Sequence, residues 1–151
     1  YLSNIPTMKF IGVVRDSKTA AVADIPILAN SSDTTMKMVY DLYSVYYQKP
    51  IINGYLHWSG DNLMNNSFVN VFSVFECGTN LSINDNRDIR DKLREILLSN
   101  NIRIIVFHKD LGEYNSYCST AIENINIFLH NHDANIYNIY EDKSEAVYQL
   151  N

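Results

Sequence analysis

Arg103-Ile104-Ile105-Val106-Phe107 follows directly on a helical pattern over 85–100, and its reading decides the fold. Four consecutive apolar residues without polar alternation describe a strand buried on both faces, as in parallel sheets. Just upstream, Ile89, Leu93, Ile96 and Leu97 fall on one helical stripe, acids lead the segment, and Asn100-Asn101 stops it. A helix delivered straight into a buried strand is half of a β–α–β unit.

Outward from this pair the alternation continues. Residues 20–27 lean toward strand and are ended by Pro26. The polar cluster over 30–35 is rich in helix-capping residues, and Met36, Val39, Tyr40, Leu42, Tyr43 and Tyr46/Tyr47 then recur at helical spacing until Pro50 closes the run. Ile51-Ile52-Asn53-Gly54-Tyr55-Leu56 reads as the second strand, with Gly54 allowing a bulge or close backbone approach. A polar loop over 57–66 precedes Phe68-Val69-Asn70-Val71-Phe72-Ser73-Val74-Phe75, assigned to a helix because a crossover is needed there. Residues 119–130 predict another helix, with Ala121, Ile122, Ile125, Phe128 and Leu129 facing inward. Residues 136–140 and 146–150 predict two strands joined as a hairpin by Glu141-Asp142-Lys143-Ser144. Phe10-Ile11-Gly12-Val13-Val14 reads as a strand or extended connector within a lead-in over 1–19, before a core over 20–151.

The expectation is therefore an α/β domain over 1–151. It has three layers: a mostly parallel sheet of about four to five strands, helices on both faces, and a C-terminal antiparallel hairpin. No internal repeat, low-complexity tract or linker divides the chain.

With 46% apolar residues the chain has the material for a packed core. A net charge of −5 argues against a nucleic-acid partner, which would need clustered Lys and Arg. The only basic cluster, Arg87, Arg90, Lys92 and Arg94, is interleaved with Asp85, Asp88, Asp91 and Glu95 and reads as a salt-bridged helix face. No window approaches the roughly 20 apolar residues of a membrane span. The sequence begins at Tyr1 rather than Met, so further chain is expected upstream. Cys77 and Cys118 have no C-x-x-C spacing and read as separate thiols, with a disulfide as the alternative. Sequons at Asn30, Asn65 and Asn80 are weak pointers to an extracytoplasmic setting, because the Asn-rich composition itself generates them.

In such a sheet a ligand would sit at the carboxyl ends of the strands. The residues expected there are Asn30, Asp33, Tyr55, Trp58 and His108, a candidate binding pocket. The first strand–helix turn, Leu28-Ala29-Asn30-Ser31-Ser32-Asp33, lacks the glycines that let backbone approach a pyrophosphate, so nucleotide binding is disfavoured. His108-Lys109-Asp110 could supply acid–base chemistry, but polar residues at the end of an apolar strand more often mark where the chain meets water. Asp24 and Asp33 could pair as carboxylates across the first strand–helix turn, although Asp33 more readily caps the helix. His130-Asn131-His132-Asp133 lacks a third ligand at a motif spacing, and a His at a helix C-terminus is explained by the dipole. No G-x-S-x-G elbow is present. Neither catalytic residues, a metal nor a cofactor is assigned.

Three stretches together carry a family resemblance: Ala21-Val22-Ala23-Asp24-Ile25-Pro26, Tyr46-Tyr47-Gln48-Lys49-Pro50-Ile51-Ile52-Asn53-Gly54-Tyr55, and Asn101-Ile102-Arg103-Ile104-Ile105-Val106-Phe107-His108-Lys109. Over residues 20–150 the chain resembles the soluble C-terminal domain of multi-spanning prokaryotic membrane proteins of the glycosyltransferase-C type, similar to dolichyl-phosphate-mannose-like mannosyltransferases. The sequence departs at Tyr47, where family members often carry a histidine. The resemblance implies that catalysis belongs to the membrane portion and that no catalytic residue maps onto this chain. It also implies an extracytoplasmic location, with the transmembrane portion of the same polypeptide as partner, together with a glycan or lipid-linked sugar.

The leading expectation is a non-catalytic accessory domain, monomeric or weakly dimeric, that assists acceptor access or docks on the membrane core. A free-standing binding module and a small hydrolase using His108 with Asp110 or Asp33 are the alternatives.

Overall fold

The computed structural model of the chain describes residues 8–26, 34–52, 83–109, 121–130 and 135–151. They form an α/β unit with helices α1 (Lys9–Asp16), α2 (Thr34–Tyr47), α3 (Ile83–Ser99) and α4 (Ala121–His130) and strands β1 (Val22–Ile25), β2 (Ile104–His108), β3 (Ile136–Glu141) and β4 (Glu145–Leu150).

The strands form one open mixed sheet in the order β1-β2-β4-β3. β1 and β2 are parallel, pairing Val22 with Ile104 and Ile25 with Phe107. β4 returns antiparallel beside β2, and the hairpin places β3 on its far side. Beyond β1, Val22 makes a parallel bridge to Ile51, with Val22 N–H donating to Pro50 O at 2.9 Å and Ile52 N–H to Val22 O at 3.1 Å. The segment expected to be the second strand thus begins beside β1; its continuation over 53–56 lies outside the described residues.

Period-2 alternation divides the strands between two apolar clusters. One gathers Ala23, Ile25, Ile105, Phe107, Ala146, Tyr148 and Leu150 against Leu93 and Leu97 of α3 and Ile125, Phe128 and Leu129 of α4. The other sets Val22, Ile104, Val106 and Val147 against Phe10 and Val14 of α1 and Tyr47 of α2.

Both α2 and α3 end as sequence chemistry suggests. Asn101 adopts a left-handed φ of 56°; its N–H reaches Leu98 O at 3.0 Å, and Ile102 N–H reaches Leu97 O at 2.9 Å, a Schellman closure. Gln48, at φ 55°, closes α2 in the same way through Val45 O and Ser44 O, two residues before Pro50.

Two expectations need correction. The stretch 10–14 is helical rather than extended: Phe10 and Val14, one turn apart, are buried, while Lys9, Arg15 and Asp16 are exposed. The amphipathic spacing outweighs the strand preference of its β-branched residues. The charged face of α3 is also less simple than a solvated ion-pair ladder. Arg90 is buried because it lies on the stripe of Leu93 and Leu97, and Arg94 donates to Asn151 O at 3.0 Å. The helix expected over 68–75 lies outside the described residues. No described helix is long and apolar enough to cross a membrane.

Candidate functional site

At the carboxyl ends of the parallel strands the alternation that supplies Val22, Val106 and Val147 to one face continues with polar residues. Asp24 lies two residues beyond Val22, His108 two beyond Val106, and Glu145 two before Val147. The antiparallel register sets His108 directly opposite Glu145. Three strands therefore bring an Asp, a His and a Glu together on the α1/α2 face.

His108 is fully buried. Its Nε2 lies 2.7 Å from Asp24 Oδ1. Its Nδ1 lies 2.5 Å from Glu145 Oε2, close for Coulomb attraction but off the line of a straight hydrogen bond. A neutral imidazole can donate from only one nitrogen, so carboxylates at both nitrogens favour the doubly protonated ring. Burial alone would lower the His108 pKa, but the hydrogen bond to Asp24 and the negative charge of Asp24 and Glu145 outweigh it and raise the value to about 9. Glu145 is raised by its own burial, with His108 pulling the other way.

Helix α2 covers this ion cluster with tyrosines at i, i+3 and i+7. The Tyr43 ring lies parallel to the imidazole, 4.9 Å away at 3°, and the Tyr40 ring lies at 5.0 Å. An aromatic face beside an imidazolium is favourable electrostatically. Phe10 from α1 meets the imidazole edge-on at 6.2 Å. Tyr47 O–H donates to Asp24 Oδ1 at 3.1 Å, and Tyr40 O–H donates to Pro26 O at 2.7 Å. Burial, then the charges of Glu145 and Asp24, push the Tyr43 hydroxyl up to about 12. Tyr47 is held well above the usual phenol range by burial and by Asp24. Tyr43 and Tyr47 therefore stay protonated at neutral pH.

His108 therefore keeps its proton at neutral pH, buried away from solvent. The cluster pins the ends of β1, β2 and β4 to one another and to α2. Its outer boundary is a shallow cleft of about 330 Å³ lined by Met8, Phe10, Asp142, Lys143, Ser144 and Glu145. The Asp142 carboxylate is occupied within the hairpin turn, accepting Ser144 N–H and Glu145 N–H at 2.8 Å and Tyr140 O–H at 2.7 Å.

Of the five residues expected to line a pocket, His108 is within the described residues; Asn30, Asp33, Tyr55 and Trp58 lie outside them, as do Asn65, Asn80, Cys77 and Cys118. The solvent-facing reading of His108 is corrected: the strand end is roofed by α2, so the imidazole meets aromatic rings instead of water. Its contacts are Asp24 and Glu145; Asp33 and Asp110, the acids expected beside it, are outside the described residues. Asp24, expected opposite Asp33, carries the His108 contact. Lys109 leaves the site and pairs with Glu141 at 2.6 Å across the hairpin. His130 is exposed at the end of α4, its ring edge-on to Tyr148 at 6.0 Å. Among the described residues no group of three or more His, Cys, Asp or Glu side chains is arranged so that it could hold a metal ion.

Glu145 was not singled out from the sequence, which placed the last strand from residue 146. Its place opposite His108 follows from the pairing of β4 with β2, which the hairpin turn between β3 and β4 does not determine. Compared with protein-family models, curated proteins and solved structures, the chain matches none.

Proposed function

We propose that this chain is a non-catalytic, extracytoplasmic accessory domain of a membrane glycosyltransferase-like protein, assisting acceptor access or docking on the membrane-embedded portion of the same polypeptide. The observation that carries this reading is the burial of His108 between Asp24 and Glu145. The described residue best suited to acid–base catalysis is committed to holding three strand ends, which supports a domain that works through its surface. A hydrolase built on His108 would require the imidazole to reach substrate, and its full burial argues against that.

The resemblance supplies the membrane context, and the sheet gives it spatial coherence. Of its three stretches, the first contains β1, the third contains β2, and the second enters the sheet at Ile51 beside Val22. They lie side by side, so motifs far apart in sequence describe one piece of architecture. The finer fold, three layers about a mostly parallel sheet, belongs to the same proposal and is supported by the apolar clusters on the two faces and the parallel bridge at Ile51.

The test is to incubate the purified chain with lipid-linked and nucleotide-linked sugar donors and assay transfer and hydrolysis. The proposal expects a folded protein that turns over neither. Sustained turnover abolished by His108→Gln would overturn it and establish the enzyme reading.

A further inference from the structure

At the opposite end of the sheet from His108, the turn leaving α1 meets the start of β2. Ser17, Lys18, Arg103, Ile104 and Gln149 line a cleft of about 230 Å³ there. Ile104, almost wholly buried, forms its apolar base. Lys18 and Arg103 are both exposed, and neither forms an ion pair with any described residue. In a chain with a net charge of −5, two cations at one concave site create a local field opposite to that of the whole.

The backbone that presents these cations is fixed. Arg103 N–H donates to Thr19 Oγ1 at 2.9 Å, and Ala20 N–H donates to Asn101 O at 3.0 Å. Thr19 Oγ1 in turn donates to Ala21 O at 2.6 Å. Leu150 N–H donates to Arg103 O at 2.9 Å, tying the same strand start to β4. The segments bearing Lys18 and Arg103 are thus cross-linked by hydrogen bonds at Thr19 and Ala20, just after Lys18, and it is mainly the side chains that remain to be ordered on binding. The end of α1 directs partial negative charge this way, but Val14 O is already taken by Ser17 N–H at 3.2 Å and Ser17 Oγ at 2.5 Å. The Arg103 guanidinium makes one long contact, Nε to Asn101 Oδ1 at 3.4 Å. That leaves its terminal nitrogens available for the paired hydrogen bonds by which arginine grips a tetrahedral oxyanion.

We infer that the Lys18–Arg103 cleft is a binding site for a phosphoryl anion, presented either by a phospholipid headgroup or by a free phosphorylated compound. Arg103 supplies directional hydrogen bonds, Lys18 a mobile charge, and the Gln149 carboxamide a further donor. In its lipid form this rests on the accessory-domain proposal; phosphate binding itself does not.

The experiment follows the backbone amide signals of Lys18, Arg103 and Ile104 in the whole chain while inorganic phosphate is added. The expected result is a saturable shift that weakens as NaCl is raised and whose apparent affinity falls at least tenfold in the double variant Lys18→Gln/Arg103→Gln. Both side chains are exposed, so the variant should keep the parent melting temperature. A control, Lys9→Gln/Lys143→Gln, removes the same charge elsewhere and should bind as the parent does. No saturable shift, or equal loss in the control, overturns the site. A second arm co-sediments the chain with vesicles of phosphatidylglycerol and phosphatidylcholine, and with phosphatidylcholine alone. Binding only to the anionic vesicles, lost in the double variant, identifies a headgroup. Phosphate binding without vesicle binding identifies a free phosphorylated compound and leaves the accessory-domain proposal to its own assay.

Discussion

Asp24 and His108, 84 residues apart in the chain, meet 2.7 Å apart in the core at the carboxyl ends of the two parallel strands. Glu145 closes the other side of the imidazole from β4, and α2 roofs all three with tyrosines. This buried cluster should respond to pH and to single substitutions in specific ways.

The pH dependence has a defined direction. Histidine in an unfolded chain titrates near 6.5, whereas folded His108 titrates at about 9, held there by Asp24 and Glu145 against its own burial. The stabilisation from this proton is complete below about pH 6.5 and is lost as pH rises through about 9, amounting to about 3 kcal/mol. Urea unfolding at pH 6.5 and pH 10 should show that loss, and His108→Gln should flatten it. A parent protein equally stable at both pH values would contradict the assignment.

Asp24→Ala leaves a buried imidazolium with one carboxylate in place of two. The expected destabilisation is about 3–5 kcal/mol, the range for removing one partner of a buried ion pair. Denaturant unfolding of the single variants Asp24→Ala and His108→Ala and of the double variant should show strong non-additivity. Additive losses would mean that the two side chains are not energetically coupled.

Tyr47→Phe removes one hydroxyl and keeps the ring. Its hydrogen bond to Asp24 Oδ1 is buried, so a loss of about 1–3 kcal/mol is expected. Tyr46→Phe, one position along on the partly exposed side of α2, should cost less than about 0.5 kcal/mol. Equal effects would remove the hydrogen bond from the account.

The two sides of the helices should also separate in mutational cost. Leu97 of α3 is fully buried against the sheet, and Leu97→Ala should cost about 2–5 kcal/mol. Leu42 of α2 is 52% exposed on a stripe with Met38 and Val45, and Leu42→Gln should stay within about 0.5 kcal/mol. Thermal unfolding of the two variants measures the contrast directly.

What was legible in the sequence follows from periodicity. Leu93 and Leu97, Ile125 with Phe128 and Leu129, and the unbroken run of β2 carry strong local signals, and each element lies where its pattern placed it. The hairpin was legible from its turn. Two things were hidden for physical reasons. Phe10 and Val14 make a helix of only eight residues from strand-favouring residue types, and its packing against the sheet decides its form. The Asp24–His108–Glu145 cluster depends on strand order and register, which no local pattern encodes: each residue looks like an ordinary polar terminus until β1, β2 and β4 are set side by side. The tyrosines at 40, 43 and 47 carried half of the message, an aromatic stripe on α2, without the charge they cover.

The central claim, that this chain serves as the accessory domain of a membrane protein, is tested most directly in the native cells. An antibody against the domain would report the size and membrane partitioning of the species that carries it. The account predicts a species much larger than 151 residues that sediments with membranes and is released only by detergent. A freely soluble species of the size of this chain alone would contradict it.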